Sequence, residues 1–253
     1  MMQYGFIHIP KTGGSTLQDI INRNYKKSDL ANLKHDGSST DSISNAKLLK
    51  GHVDIRALKQ INPDIGLLSC VRSPLSRLVS HYAFICKREH HGNHRQIMDN
   101  GYSIIDCVEQ KVDTVFDNLL IRYIGGYRDL PFGEIKETHL ETAIKNIHEF
   151  VWIGVLEDFD NSVLMLQKEL DWGKLYYRKR KVNASSKQLI SSLNSKEMSL
   201  LKSSQSLDQK LYSAILEIHK EKLAANKDYV SRKMRSLQFR NKLFSGIMSW
   251  KND

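Results

Sequence analysis

The stretch YGFIHIPKTGGSTLQDII, residues 4–21, carries the reading of the fold. Tyr4 to Ile9 is an apolar run rich in aromatic and β-branched residues, which predicts a buried strand. Pro10 cannot donate to a ladder and stops it. Gly13 and Gly14 open backbone angles closed to other residues. Ser15 or Thr16 can cap a helix whose apolar positions Leu17, Ile20 and Ile21 follow at helical spacing. Strand, glycine turn and helix in that order bring backbone N–H groups to the positive end of a helix dipole, with Lys11 beside them. Such a loop is a cradle for phosphate or sulfate. Taken alone, the residues fit equally an ordinary strand–helix turn that needs glycine. They do not fit the common nucleotide loop G-x-x-x-x-G-K-[ST], because Lys11 precedes both glycines.

Working outward, the same alternation of strand and helix recurs. IGLLSCV (65–71) and FVWIGVL (150–156) are two more buried strands. After the first of them, Ser73 takes the N-cap position and Pro74 the first position of a helix. LLKGHVDI (48–55) precedes a short helix that ends before Asn62 and Pro63. Helical patterns occupy about 103–125, 137–149 and the run EDFDNSVLMLQKELDW, while 26–47 and 88–103 are polar and read as surface loops. Beyond about residue 188 the pattern is helical and lysine-rich. Strands separated by helices imply an α/β fold with a central parallel sheet flanked by helices and a helical C-terminal part. The expectation is one domain over 1–253, with about 190–253 a helical extension.

Composition narrows the partners. Lys and Arg number 38 against 28 Asp and Glu, a formal net charge of +10, so an acidic partner is expected. Apolar runs are too short to span a bilayer, and the first residues lack the order of a signal peptide. The three cysteines, Cys70, Cys86 and Cys107, share no C-x-x-C spacing and suit a reducing compartment, so the chain is expected in the cytoplasm.

In parallel sheets ligands bind at the carboxyl ends of the strands. The first loop lies at one such end and Arg72 at another. In VRSPLSRLVSHY (71–82), Arg72 offers a planar fork matching phosphate and Ser80 adds a hydroxyl. Singly, Arg72 would read as a structural cap and Ser80 as a helix-packing residue. Together with the first loop they make two anion cradles at matched strand ends, which a nucleotide with phosphates at both ends of its ribose would fill.

HIPKTGGSTL followed by VRSPLSRLVSHY resembles the sulfotransferases that use 3′-phosphoadenosine 5′-phosphosulfate (PAPS), and within them the carbohydrate branch of heparan and uronyl 2-O-sulfotransferases. WIGVLEDFDNSVLMLQKEL is similar to a later family segment and KVNASSK to the family's late cofactor loop, so the likeness runs over about 4–190. It implies a P-loop-like three-layer fold. It also implies that Lys11, Thr12, Gly13, Gly14, Ser15 and Thr16 hold the 5′-phosphosulfate, that Arg72 and Ser80 hold the 3′-phosphate, and that Asn183 helps close the late loop. Ser73, Arg77 and Tyr82 complete the motif without an assigned contact.

The chemistry this implies moves a neutral SO₃ unit in line to an acceptor hydroxyl. Lys11 is expected to neutralise the charge that builds on the leaving oxygen, and no metal is required. A general base must take the acceptor's proton. The family's Gly-His-[Val/Ile] segment points to His52 in KGHVDI, with Asp54 to orient or replace it; a histidine capping a strand or helix is the competing reading. His8 is expected to pack in the core. Arg122 in NLLIRYIGG is a candidate for substrate contact by the same likeness.

His90, His91 and His94 have metal-like spacing but no cysteine or carboxylate pair nearby, and read as a solvated loop. The basic tail SRKMRSLQFRNKLFSGIMSW reads mostly as an exposed helix face, suited to an acidic acceptor or a membrane surface. The leading expectation is thus a PAPS-dependent O-sulfotransferase with a carbohydrate or glycoconjugate acceptor and no specific nucleic-acid partner. A non-catalytic polyanion-binding protein would explain the charge but not two matched cradles. A P-loop nucleotide kinase would need the lysine and Mg²⁺-binding hydroxyl that this loop lacks.

Overall fold

A computed structural model describes residues 2–178 and 184–250. Five parallel strands, β1 (Tyr4–Ile7), β2 (Leu30–Leu33), β3 (Leu48–Gly51), β4 (Gly66–Val71) and β5 (Phe150–Val155), form one sheet in the order β2-β3-β1-β4-β5. Parallel neighbours need crossovers, and helices supply all but the link from β2 to β3, which runs through the non-helical residues 34–47. α1 (Gly14–Asn24) follows β1, α2 (Ile55–Ile61) follows β3, and α3 (Pro74–Cys86) follows β4. Between α3 and β5 lie α4 (His94–Asp99), α5 (Ile104–Glu109), α6 (Leu119–Gly125) and α7 (Glu137–Ile147). After β5 come α8 (Phe159–Glu169), α9 (Ala184–Ser192), α10 (Ser195–Ser204), α11 (Ser206–Ala225) and α12 (Lys227–Trp250).

Side chains alternate across the strands, so each face of the sheet has its own core. Ile7, Leu67 and Val71 pack with Leu58, Leu120, Ala143 and Leu211 of α2, α6, α7 and α11. Phe6, Leu68, Cys70 and Trp152 pack with Leu17 and Ile20 of α1, Val163 of α8 and Leu237 of α12. A third cluster joins α3 to α5 and α10 through Leu78, Cys107 and Leu201. Helices on both faces of a parallel sheet make the expected three-layer, P-loop-like α/β architecture.

Strands buried on both faces read as continuous apolar runs, which is why β1, β4 and β5 were legible. The segment 26–47 is not simply a surface loop: it contains β2, an edge strand that pairs only with β3 and buries just Ala31 and Leu33. The expected loop at 88–103 contains α4. The helical pattern at 103–125 splits into α5, a 3₁₀ turn at Thr114–Phe116 and α6. Neither Ser15 nor Thr16 caps α1; the N-cap is Gly13, at φ +88°. Ser73 does stand at the N-cap of α3 with Pro74 after it, yet its hydroxyl makes no cap bond. Instead its backbone N–H donates to Glu157 Oε1 at 3.0 Å.

Candidate active site

Register places the site. Ile7 of β1 is level with Gly51 of β3 on one side and Ser69 of β4 on the other. The residues that follow each strand therefore emerge side by side at the carboxyl edge of the sheet. His52 leaves β3, the loop from His8 to Gly13 leaves β1, and Arg72 leaves β4. A cleft of about 1200 Å³ opens there. It is lined by Lys11, Gly13, Gly14, Ser15, Thr16, His52, Arg72 and Ser80 among others. The chain thus brings together residues up to 69 positions apart, from Lys11 to Ser80, that the sequence reading had grouped. Thr12 stays behind the wall, 1 % exposed, with its hydroxyl donating to Ile9 O at 2.8 Å. Asn183 lies outside the described residues.

The β1–α1 loop bends sharply. Gly13 sits in the left-handed region, and a Cβ there would lie 2.7 Å from Leu156 Cδ1. Lys11 occupies the same region at φ +70° without being glycine, a strain of about 1–2 kcal/mol. Such strain gathers where a backbone is shaped for a ligand. Among the described residues no side chain caps α1. Thr16 N already donates to Gly13 O at 3.0 Å, so the N–H groups of Gly14 and Ser15 are the ones left available at the positive end of an eleven-residue helix. Lys11 Nζ lies 4.1 Å from the centre of the Phe84 ring. Burial, then Arg72 and Arg88, hold its ammonium below the ordinary lysine range. Arg72 Nη1 donates to Lys11 O at 3.4 Å, so the two expected anion cradles touch. Burial also lowers the Arg72 pKa, opposed by the carboxylate of Glu157.

On the other side of the loop, the rings of His8 and His52 stack with centres 4.2 Å apart. His52 Nδ1 is 2.7 Å from His8 O. A carbonyl can only accept, so Nδ1 carries the proton and Nε2 is left with its lone pair. Burial pushes the His52 pKa down, with the bond to His8 O opposing, so the ring is neutral near pH 7. His8 is not a core residue as expected; it is half-buried and lines the cleft. Burial, then the charge His52 takes on once protonated, then Lys50, drop its pKa to about 3. Gly14 is required by this stack, since a Cβ there would sit 1.6 Å from His8 Nε2.

Two other candidates have structural work. Asp54 neither orients nor replaces His52: it caps α2, accepting from Ala57 N at 2.9 Å. Arg122 belongs to the wall of the cleft but is 0 % exposed. It donates to Asp117 Oδ2 at 2.5 Å and to the carbonyls of Asp117, Leu130 and Pro131 at 2.8, 2.5 and 2.9 Å. That set commits the guanidinium to bracing α6 and the loop behind it. Arg77 is also fully buried and donates to Val115 O. The three histidines of the 90–94 loop do not converge. His94 bonds Ile85 O, while His91 packs on His81 and Phe84. Among the described residues no group of three His, Cys, Asp or Glu side chains is placed to hold a metal.

The cleft also holds residues the sequence reading passed over. Glu157 follows β5, so the strand-end rule that found Arg72 would have found it. Its carboxylate accepts from Ser73 N and from the Tyr212 hydroxyl at 2.9 Å. Arg128, beside the ring of Tyr123, donates to His52 O at 2.5 Å and bonds His35. Its turn, GGYRDLP, carries no local sign of this. Ser186 of α9 is 4 % exposed, and its hydroxyl has no partner among the described residues. It sits on the cleft wall and lies within KVNASSK, the segment that resembles a cofactor loop.

A profile of the sulfotransferase family matches residues 5–222. The chain belongs to the sulfotransferase family. Its membership makes it an enzyme of sulfuryl transfer. No curated protein matches it significantly. Two solved structures are similar at low identity. A sulfotransferase from Alicyclobacillus acidocaldarius aligns at 9 % identity and a TM-score of 0.40, over 81 % of this chain and 96 % of that one. The mouse sulfotransferase SULT7A1 complexed with PAP aligns at 14 % identity and a TM-score of 0.38, over 78 % of this chain and 65 % of its own. Among the described residues no helix is long and apolar enough to cross a membrane.

Proposed function

We propose that the chain transfers a sulfuryl group from PAPS to a hydroxyl of a carbohydrate acceptor. One observation carries this reading. An uncapped helix N-terminus with Lys11, a half-buried Arg72 with Ser80, and a histidine with a free Nε2 face one cleft. The unpartnered hydroxyl of Ser186 and the open N–H groups of α1 fit a ligand rich in acceptor oxygens. In this reading the loop from Lys11 to Thr16 holds the 5′-phosphosulfate, Thr12 through its backbone alone, and Arg72 and Ser80 hold the 3′-phosphate. Bound there, PAPS supplies the sulfuryl group.

The chain's own residues do the rest. His52 Nε2 takes the proton of the acceptor hydroxyl as the new oxygen–sulfur bond forms. The carbonyl of His8 holds the ring in that tautomer and steadies the imidazolium that results. Lys11 and the loop N–H groups neutralise the charge left on the departing phosphate oxygen as the old sulfur–oxygen bond breaks. Arg128 and His35, beside His52, suit the hydroxyl and acidic groups of a sugar. Three unpaired cysteines accord with a reducing compartment such as the cytoplasm.

The test is calorimetric titration with 3′-phosphoadenosine 5′-phosphate, with 5′-AMP and ATP–Mg²⁺ as controls. Binding that needs the 3′-phosphate and is abolished by Arg72→Ala is expected. No preference over AMP would refute the cofactor assignment. Incubation with PAPS and a panel of glycans then tests the acceptor, and turnover of non-sugar alcohols alone would refute that part.

A further inference from the structure

α12 has two faces, and folding uses only one. Val230 and Leu237 point inward at 5 % and 2 % exposure, and Asn241 Oδ1 accepts from Tyr177 N at 2.7 Å. On the opposite face Phe239 is 63 % exposed and Leu243 51 %. These two are four residues apart and so adjoin on the helix. Arg232, Arg235 and Lys242 stand seven and four residues before Phe239 and three after it, on the same outward stripe, and all are exposed. Asp228 is the only acid between 227 and 250. Among the described residues no carboxylate pairs with the three cations. A basin of about 340 Å³ runs along the flank between α8 and α12, walled by Lys168, Lys233, Ser236 and Arg240, with Asp171 its one acid.

We propose that this stripe docks the protein on an anionic membrane surface, with Phe239 and Leu243 entering the headgroup boundary, the cations meeting lipid phosphates and the basin taking a headgroup. An exposed apolar pair inside a field of positive charge is stabilised by a surface offering both acyl chains and negative charge. A soluble polyanion would use the charge and leave the apolar pair in water. Nucleic acid and acidic glycans are therefore poorer occupants. The inference does not rest on the transfer reaction. Because α12 holds Tyr177, which lines the cleft, docking would set how the cleft sits against the membrane.

The experiment is co-sedimentation of the whole protein with phosphatidylcholine vesicles, with and without phosphatidylserine. Binding is expected only to the anionic vesicles. The double variant Phe239→Ser/Leu243→Ser should weaken it about tenfold or more, and neutralising Arg232, Arg235 and Lys242 to glutamine should do so too, each charge being worth about fivefold. These side chains are exposed, so a thermal melt should show both variants folded. Binding untouched by the apolar double variant, yet lost with the charges and competed by heparin, would make the stripe a polyanion surface and overturn the proposal. Pelleting of the variants equal to the unaltered protein, or none with either vesicle, would overturn it as well.

Discussion

Arg122→Ala separates a structural arginine from one that meets substrate. The wild-type guanidinium is 0 % exposed and makes bonds of 2.5–2.9 Å to Asp117 Oδ2 and to three carbonyls. Asp117, itself 5 % exposed, also accepts from Gly133 N at 2.9 Å. Alanine would leave a buried carboxylate without its counter-charge and would strip the arginine's bonds from three carbonyls, of which, among the described residues, only Pro131 O keeps a second donor, Glu134 N at 3.3 Å. Breaking such a pair costs about 3–5 kcal/mol. For a chain of this size each kilocalorie moves the midpoint by about 2–4 °C, so melting should fall by about 6–20 °C. Arg122→Lys, which keeps the charge but not the fork, should fall between the two proteins. The assay is thermal melting with urea titration, followed by nucleotide titration of whatever remains folded. A variant that melts within about 2 °C of wild type while KM for the acceptor rises would refute the bracing role and return Arg122 to the substrate.

Other perturbations probe the site itself. Gly14→Ala forces a Cβ onto His8, breaks the stack with His52, and should cut turnover about 100-fold, since ångström misplacements have that scale. Unchanged turnover would mean that the stack is incidental. Lys11→Ala should leave melting unchanged and remove most transfer activity; retained activity removes Lys11 from the chemistry. Because the His52 pKa is lowered, the activity profile should stay flat from pH 8 to below 6.5 and fall only as Nε2 protonates, and His52→Ala should lose about 10²–10⁴ in rate with little change in nucleotide affinity. A rate limb above pH 7 assigns the base elsewhere. His8 titrates near 3 in the fold and near 6.5 when unfolded. Between those values the unfolded chain binds more protons, so its stability contribution is full above pH 6.5 and is lost as pH falls towards 3. Urea midpoints at pH 7.5 and 5 check this, and His8→Gln should flatten the difference.

Legibility followed locality. β1, β4 and β5 announced themselves because a strand covered on both faces is apolar throughout, whereas β2 buries only two side chains in a polar segment and had no period to detect. The cradle was readable because a turn, two glycines and a helix start are neighbours in sequence. His8 was misplaced into the core because strand periodicity says nothing about where a strand ends, and β1 ends one residue before it. Arg122 looked like a site residue because a buried arginine and a ligand-binding one have the same local pattern; what distinguishes them is the Asp117 carboxylate and the carbonyls of a loop that only the fold brings round.

By itself, then, the sequence determined the α/β class, the glycine turn between β1 and α1 and the placing of Lys11 and Arg72 just after strand ends, since each depends on a short local pattern and on a rule about parallel sheets. Tertiary structure alone decided the His8–His52 stack, the tautomer of His52, the arrival of Glu157, Arg128 and Ser186 at the cleft, and the outward face of α12. Each of those depends on which strands lie side by side and in what register, and contacts of that range are set by packing the whole chain.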